Sequence, residues 1–281
     1  MIDIGGSPFV DLLVPRLLPA ILATALLGLL ALMRGSVSLS GAAGGLVVGI
    51  LLWLGGDWPV WLMLTVFFVS SSLLGIPGKR LRPKVEGKHQ RGSRRSWQQV
   101  AANTAPMVIA ALALPAAQIS GSARVTQALL VAITAGFAAA ASDTWAGEVG
   151  VLSSRQPRLL WGWTTVEAGQ SGGVTMLGLL GALLGAATLA SIGFLAGLTW
   201  PFVGLALACG FAASLLDSLL GATVQALYQD SSGQWTEKPF GTQGNAHLRV
   251  RGWGWMNNDV VNVLSVALST LLAFAIALIL T

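Results

Sequence analysis

The chain has 281 residues, 54% of them hydrophobic and only 10% charged, with a formal net charge of +5 and a mean hydropathy of +0.73. These proportions exclude an ordinary soluble domain and point to a polytopic membrane protein whose solvent is largely lipid. The one cysteine, Cys209, lies in an apolar run, so a disulfide framework and a cysteine-built metal site are excluded as well.

With about 20 mostly apolar residues required per crossing, the sequence predicts eight helices: Leu12–Met33, Val37–Leu54, Trp58–Ile76, Gln99–Ala117, Val125–Ala141, Gly172–Leu198, Pro201–Tyr228 and Val260–Leu280. The expected fold is an all-α transmembrane helical bundle of about eight helices, a single integral membrane domain over residues 1–281. The second helix is glycine-rich, and the sixth is long enough to tilt, kink or re-enter, so either can change the count. No basic segment precedes the first apolar stretch, so it reads as a retained helix rather than a cleaved leader. The 35 glycines suit helices packed closely in lipid, where small residues let backbones approach.

Lys and Arg concentrate on the cytoplasmic side of short loops. Half of the chain's 16 basic residues lie between Gly78 and Arg95, so the loop 78–98 is expected to be cytoplasmic. The loops 142–171 and 229–257 fall on the same side, with both termini opposite. Arg34, Arg155, Arg158, Lys238, Arg249 and Arg251 obey this path; Arg16 and Arg124 lie near the outer side. The uncommon polar residues then converge at the cytoplasmic end, beside the basic loop. Most of the 11 tryptophans lie near predicted helix ends, as an interfacial belt would.

Within the fifth helix and its exit, Asp143 and Glu148 are five residues apart, about 140° around a continuous helix, and share a site only if the helix breaks near Gly147. A solvated helix end is the competing reading. The segment Glu167–Gly178, with Gly169, Gly172 and Gly173, is a glycine-rich turn running into a helix, a geometry that presents backbone N–H groups to phosphate. It is neither a Walker motif nor a dinucleotide fingerprint. In the seventh helix Asp217, Gly221 and Gln225 fall on one face at i, i+4 and i+8, where the glycine leaves room for a ligand or another helix. A carboxylate in such a helix costs roughly 2.5–3.5 kcal/mol on insertion scales and is a functional candidate by default; a protonated Asp in an interhelical hydrogen bond is the alternative. At the eighth helix Asn258 and Asn262 lie one turn apart beside Asp259, and their oxygens suit Mg²⁺. Helix capping accounts for one of the three. In the basic loop Lys84, Lys88, Arg94 and Arg95 read as a phosphate clamp, against the plainer roles of setting topology or binding anionic lipid. His89 and His247 are too isolated for a metal site.

Taken in order, five segments resemble an integral membrane family that includes the phytyl-phosphate kinases of plant and cyanobacterial vitamin E synthesis, together with animal relatives. The resemblance rests on Glu86, Lys88, Arg95 and Asn103; on Asp143, Thr144, Glu148 and Gly150; on Gly169, Gly172, Gly173 and Gly178; on Asp217, Ser218, Gly221 and Gln225; and on Asn258, Asp259 and Asn262. It covers most of the chain, with Thr175 where Ser is expected and a connection Gln229–Trp255 without a counterpart. More remotely the chain is similar to dolichol kinases and to CDP-diacylglycerol synthases.

The resemblance implies a CTP-dependent kinase that turns a prenyl monophosphate, phytyl phosphate, into the diphosphate for tocopherol synthesis. Asp143, Glu148, Asp217 and Asp259 are then the catalytic candidates, and with Asn258 and Asn262 they hold Mg²⁺ or its partners. Lys84, Glu86, Lys88, Arg94, Arg95, Asn103, Gly169, Gly172, Gly173, Ser218 and Gln225 bind substrate. The expected partners are the nucleotide, the prenyl phosphate and membrane lipid, with no nucleic acid and with homo-oligomerisation left open. The expected site is a multi-pass protein of a cell inner membrane or thylakoid, its active site facing the cytoplasm. A lipid cytidylyltransferase and a cation-coupled transporter are the alternatives.

Overall fold

The computed structural model describes residues 7–81, 94–241 and 244–281. Among them seven helices are long and apolar enough to cross a membrane: α1 (Pro8–Met33), α2 (Leu39–Leu81), α3 (Trp97–Ile119), α4 (Ala123–Gly150), α5 (Met176–Ile192), α6 (Trp200–Thr223) and α7 (Asn258–Leu280). The chain is an integral multi-pass membrane protein, all-helical where it crosses. The expected second and third helices run together as α2, but Asp57, at φ 63°, breaks it into two limbs. The limbs fold back on each other. Gly49 of the first limb and Trp61 of the second both abut Thr24, the Trp53 and Trp61 rings lie 5.1 Å apart, and Gly41 and Phe67 both reach Arg95. The two limbs stand in for the expected second and third helices.

Three of the helix ends that differ from the sequence reading do so for a clear local reason. The helix expected to stop at Ala141 continues to Gly150, because nothing in Ser142–Val149 breaks a helix more strongly than Gly147. The helix expected from Gly172 begins at Met176: Gly172 has φ 82°, Gly173 pairs in a short strand, and the Thr175 side chain caps the helix by accepting from the Gly178 N–H at 2.9 Å. The helix expected to reach Tyr228 ends at Thr223, since the chain beyond it is drawn into other pairings. Trp253 N–H donates to the Val224 carbonyl, and Ala226 N–H to that of Met256.

Helix α4 is the axis of the bundle, buried along most of its length and packed against α2, α3, α5, α6 and α7. Its run Ala138–Ala141 has almost no side chain to hold neighbours off, and a Cβ at Gly210 of α6 would come within 2.5 Å of Ala138. Close backbone approach between small residues thus substitutes for a hydrophobic drive that lipid does not supply. Helix α1, by contrast, is peripheral and mostly exposed.

Outside the spans lie two small antiparallel sheets. Strands β1 (Arg158–Leu159) and β2 (Gly173–Val174) pair in the α4–α5 connection, and β3 (Leu227–Gln229), β4 (Trp235–Thr236) and β5 (Leu248–Arg251) form a sheet of order β4-β3-β5 after α6. Both sit at the end of the bundle where α4 and α6 finish and α7 begins. At the opposite end the two arginines that depart from the charge rule are locally satisfied. Arg16 pairs with Asp57 at 3.3 Å, and Arg124 Nε donates to the Leu278 carbonyl at 2.9 Å in the last turn of α7, where the helix dipole favours a cation.

Candidate functional site

A cavity of about 480 Å³ opens at the sheet-bearing end. Helix α4 contributes Asp143, Thr144, Gly147 and Glu148; α6 contributes Asp217 and Ser218; α7 contributes Asn258 and Asn262. Arg95 and the start of α3, with Gln99 and Asn103, form another wall, and the turn Gly169–Thr175 another. At 1.5 Å per residue, Asp143 and Asp217 sit about 10 Å inside the ends of α4 and α6. Asp143, Glu148, Asp217, Asn258 and Asn262, collected at one end by the sequence reading, therefore line a common space.

The carboxyls of Asp143 and Asp217 are within hydrogen-bond reach of each other, and Asp217 is only 8% exposed. Two carboxylates in contact repel, so the pair requires an intervening cation or a shared proton. Asn262, oriented by its neighbours, donates its amide to Asp217 Oδ2 at 3.1 Å and to the Asn258 carbonyl at 3.2 Å. In this orientation its N–H groups face Asp217 and Asn258. Capping of α7 falls to Asn257, whose side chain accepts from Val260 N–H at 3.1 Å, so neither Asn258 nor Asn262 is spent on it.

Across the cavity Arg95 is fixed through its backbone, which donates to Ser36 O and accepts from Ser38 N–H. Its guanidinium lies over the Phe67 and Phe68 rings, 5.8 and 5.4 Å from their centroids. Burial lowers its pKa from the usual value, and the negative charge of Glu148 pulls it part of the way back. Glu148 itself lies against Gly75 of α2, where a Cβ would come within 3.3 Å of the carboxyl. Asp143 and Glu148 line the same cavity without the helix break that sharing was expected to need, because the space wraps around the end of α4. Gly147 faces open space there.

The glycine turn is docked by its backbone. Gly172 lies so close to α6 that a Cβ would be 2.3 Å from Ala222 N, and one at Gly221 would be 2.9 Å from Gly172 N. The room expected beside Gly221 is thus taken by this turn, not by a ligand or helix. Arg251 Nη2 ties the two together, donating to Gly221 O at 2.6 Å and to Ser171 O at 3.3 Å. Behind the turn Ser171 donates to Glu237, and Gln225 Nε2 donates to Ser171 Oγ at 3.0 Å and to Glu237 Oε1 at 3.2 Å. Gln225 faces the cavity, though from the turn after α6 and not from the helical face expected. Glu167 accepts from the Trp235 indole at 2.7 Å, a bracing contact.

Of the remaining candidates, Gly169, Gly173 and Ser218 line the cavity, as does Asn103, whose side chain also donates to Gln99 O at 2.9 Å. Arg94 and Asp259 do not line it. Arg94 is exposed beside Gly35, and Asp259 lies in the first turn of α7, where a negative charge favours the helix dipole. Lys84, Glu86 and Lys88 lie outside the described residues. Glu237, Ser171, Gln99 and Arg155 line the cavity without having been expected as site residues; the only signal for Glu237 was an acid within a connection that matched nothing. Among the described residues no three His, Cys, Asp or Glu side chains gather into a metal cage.

A family model described as integral membrane protein DUF92 matches residues 22–270. Protein PGR of Arabidopsis thaliana is 30% identical, over 92% of this chain and 94% of that protein. Membrane protein MJ0933 of Methanocaldococcus jannaschii is 30% identical over 74% of this chain and 82% of that protein. Protein VTE6, chloroplastic, of A. thaliana is 27% identical over 84% of this chain and 64% of that protein. No solved structure matches.

Proposed function

The chain belongs to the integral membrane family DUF92, and from that premise and the site geometry we propose that it is a membrane-embedded prenyl-phosphate kinase, phosphorylating phytyl phosphate from CTP with Mg²⁺. The observation that carries this reading is the contact of Asp143 with Asp217 in a cavity that also holds Arg95. Phosphoryl transfer onto a phosphate assembles several negative charges, so the protein's task is positioning and neutralisation. The ordered motifs shared with phytyl-phosphate kinases support the choice of acceptor, and the match to Protein VTE6, chloroplastic, agrees with it.

An oxygen of the lipid phosphate attacks the γ-phosphorus; the new P–O bond forms as the bond to the β–γ bridging oxygen breaks, and its electrons leave with CDP. The acceptor is already anionic, so no side chain need remove a proton. Arg95 holds phosphate oxygens through its planar fork; the Gly169–Gly173 turn lines the same space, although its Gln170 and Gly173 N–H groups are spent on the Glu167 and Gln170 carbonyls. Mg²⁺ takes one or two carboxylates and fills its remaining positions with water and substrate phosphates, and Asp143 and Asp217 would supply those carboxylates. When bound it neutralises the transferring phosphoryl group. Asn262 keeps Asp217 aimed, and Asn258 lies on the same wall. The site faces the cytoplasm in this reading, by the charge of the loops.

With purified protein, Mg²⁺, phytyl phosphate and γ-labelled CTP, label is expected in phytyl diphosphate, and Asp143→Ala or Asp217→Ala is expected to abolish it. Undiminished turnover in both variants would remove the site from the account. The one-ended gathering of polar groups speaks against a transporter, which needs a site reachable from both sides.

A further inference from the structure

The cavity has two chemically different sides. Opposite the acids and the glycine turn, α1 and the two limbs of α2 line it with Leu27, Gly28, Gly45, Leu64 and Phe67. We infer that this apolar side holds the hydrocarbon chain of a single-chain lipid phosphate, and that Gly28 and Gly45 set the bulk of chain admitted. The inference rests on the kinase reading for the identity of the head group.

Several glycines elsewhere in this bundle mark close contacts, though Gly147 and Gly204 also face open space. A Cβ at Gly49 would be 2.4 Å from Thr24, at Gly55 2.1 Å from Ala111 O, and at Gly210 2.5 Å from Ala138. Gly28 and Gly45 do the opposite: a Cβ at either meets nothing within 4 Å, and both line the cavity. Protein interiors pack without openings of this kind, and apolar walls offer water no partners. Hydrocarbon fits where neither protein nor water does.

The deep end is closed by Thr24, whose hydroxyl accepts from the Trp61 indole at 2.9 Å and whose methyl abuts Gly49. Thr24 lies about 14 Å from the end of α1, so a longer chain has to leave sideways. Helix α1 packs chiefly against α2 and turns Leu22, Leu26 and Leu29 to the surroundings, which makes its border the lateral way into lipid. Arg95 stands where the two sides meet, its guanidinium over Phe67 and Phe68 and its charge facing Glu148. A cation at the mouth of an apolar space fits an amphipathic anion, with the head at Arg95 and the tail between α1 and α2.

The test uses the full chain in proteoliposomes and a C20 isoprenoid phosphate carrying a diazirine on its tail. Photolabel is expected on α1 within 24–31 and on α2 within 41–45. Unlabelled phytyl phosphate is expected to compete at least tenfold better than two-chain phosphatidic acid. Gly28→Leu and Gly45→Leu, checked for folding by melting temperature, are expected to cut labelling and to lower the C20-to-C5 ratio of kcat/KM at least tenfold. Label on other helices, equal competition by phosphatidic acid, or an unchanged ratio in both folded variants overturns the inference. Labelling on α1 and α2 without any phosphoryl transfer removes the kinase reading and keeps the chain site; transfer with label elsewhere does the reverse.

Discussion

The Asp143 carboxyl of α4 meets the Asp217 carboxyl of α6 about 10 Å inside the bundle, and Asn262 of α7 donates to the second of them. Such a pair is costly to the fold unless a cation or a shared proton lies between the carboxyls. Asp217→Asn keeps the shape and removes one charge, so it is expected to lower kcat on the order of 10²–10³-fold. The same variant is expected to melt at an equal or higher temperature in detergent, since a buried like charge is gone. A fall in both would mark Asp217 as structural.

Arg95 differs from a point charge in its planar fork and in its contact with the Phe67 and Phe68 faces. Arg95→Lys is expected to reduce kcat/KM about tenfold to a hundredfold, as loss of about 1.5–3 kcal/mol in charged hydrogen bonds would. Steady-state kinetics with varied lipid phosphate check this, and wild-type kinetics in the Lys variant would contradict it.

Two glycines of the site should answer a methyl group oppositely. Gly172→Ala places a side chain at φ 82° and 2.3 Å from Ala222 N, so the turn must leave α6; loss of activity with faster proteolysis inside 169–173 is expected. Gly147→Ala adds a methyl to open space in a helix and is expected to stabilise by about 0.5–1 kcal/mol. Thermal melts of the two variants provide the comparison.

Glu237 accepts from Ser171 and Gln225 behind the glycine turn. Glu237→Gln retains an acceptor oxygen and is expected to be mild. Glu237→Leu leaves both donors without it and is expected to cost about 1–3 kcal/mol. Chemical unfolding of the two variants measures the difference; equal losses would mean that charge, not hydrogen bonding, is what Glu237 supplies.

The spans and the end at which polar residues gather were legible because lipid imposes one strong rule, long apolar segments with bases on one side, and Asp217 stands out against it. What the rule cannot see are contacts set by the path between spans. Ser142–Gly150 reads as a loop because it is polar, yet it stays helical since its polar face turns into a cavity. Gln225 lies at helical spacing from Asp217, yet it reaches the cavity from a turn, because strand pairing after Thr223 outcompetes further helix. Glu237 sits in a connection of two- to four-residue strands too short to leave a periodic signal.

The most direct measurement follows two labels from CTP into lipid, one on the α-phosphate and one on the γ-phosphate, with Mg²⁺, phytyl phosphate and purified protein. The account predicts that the γ label alone arrives in phytyl diphosphate and that CDP is released. Arrival of the α label with release of pyrophosphate, or retention of both labels in CTP, would contradict it.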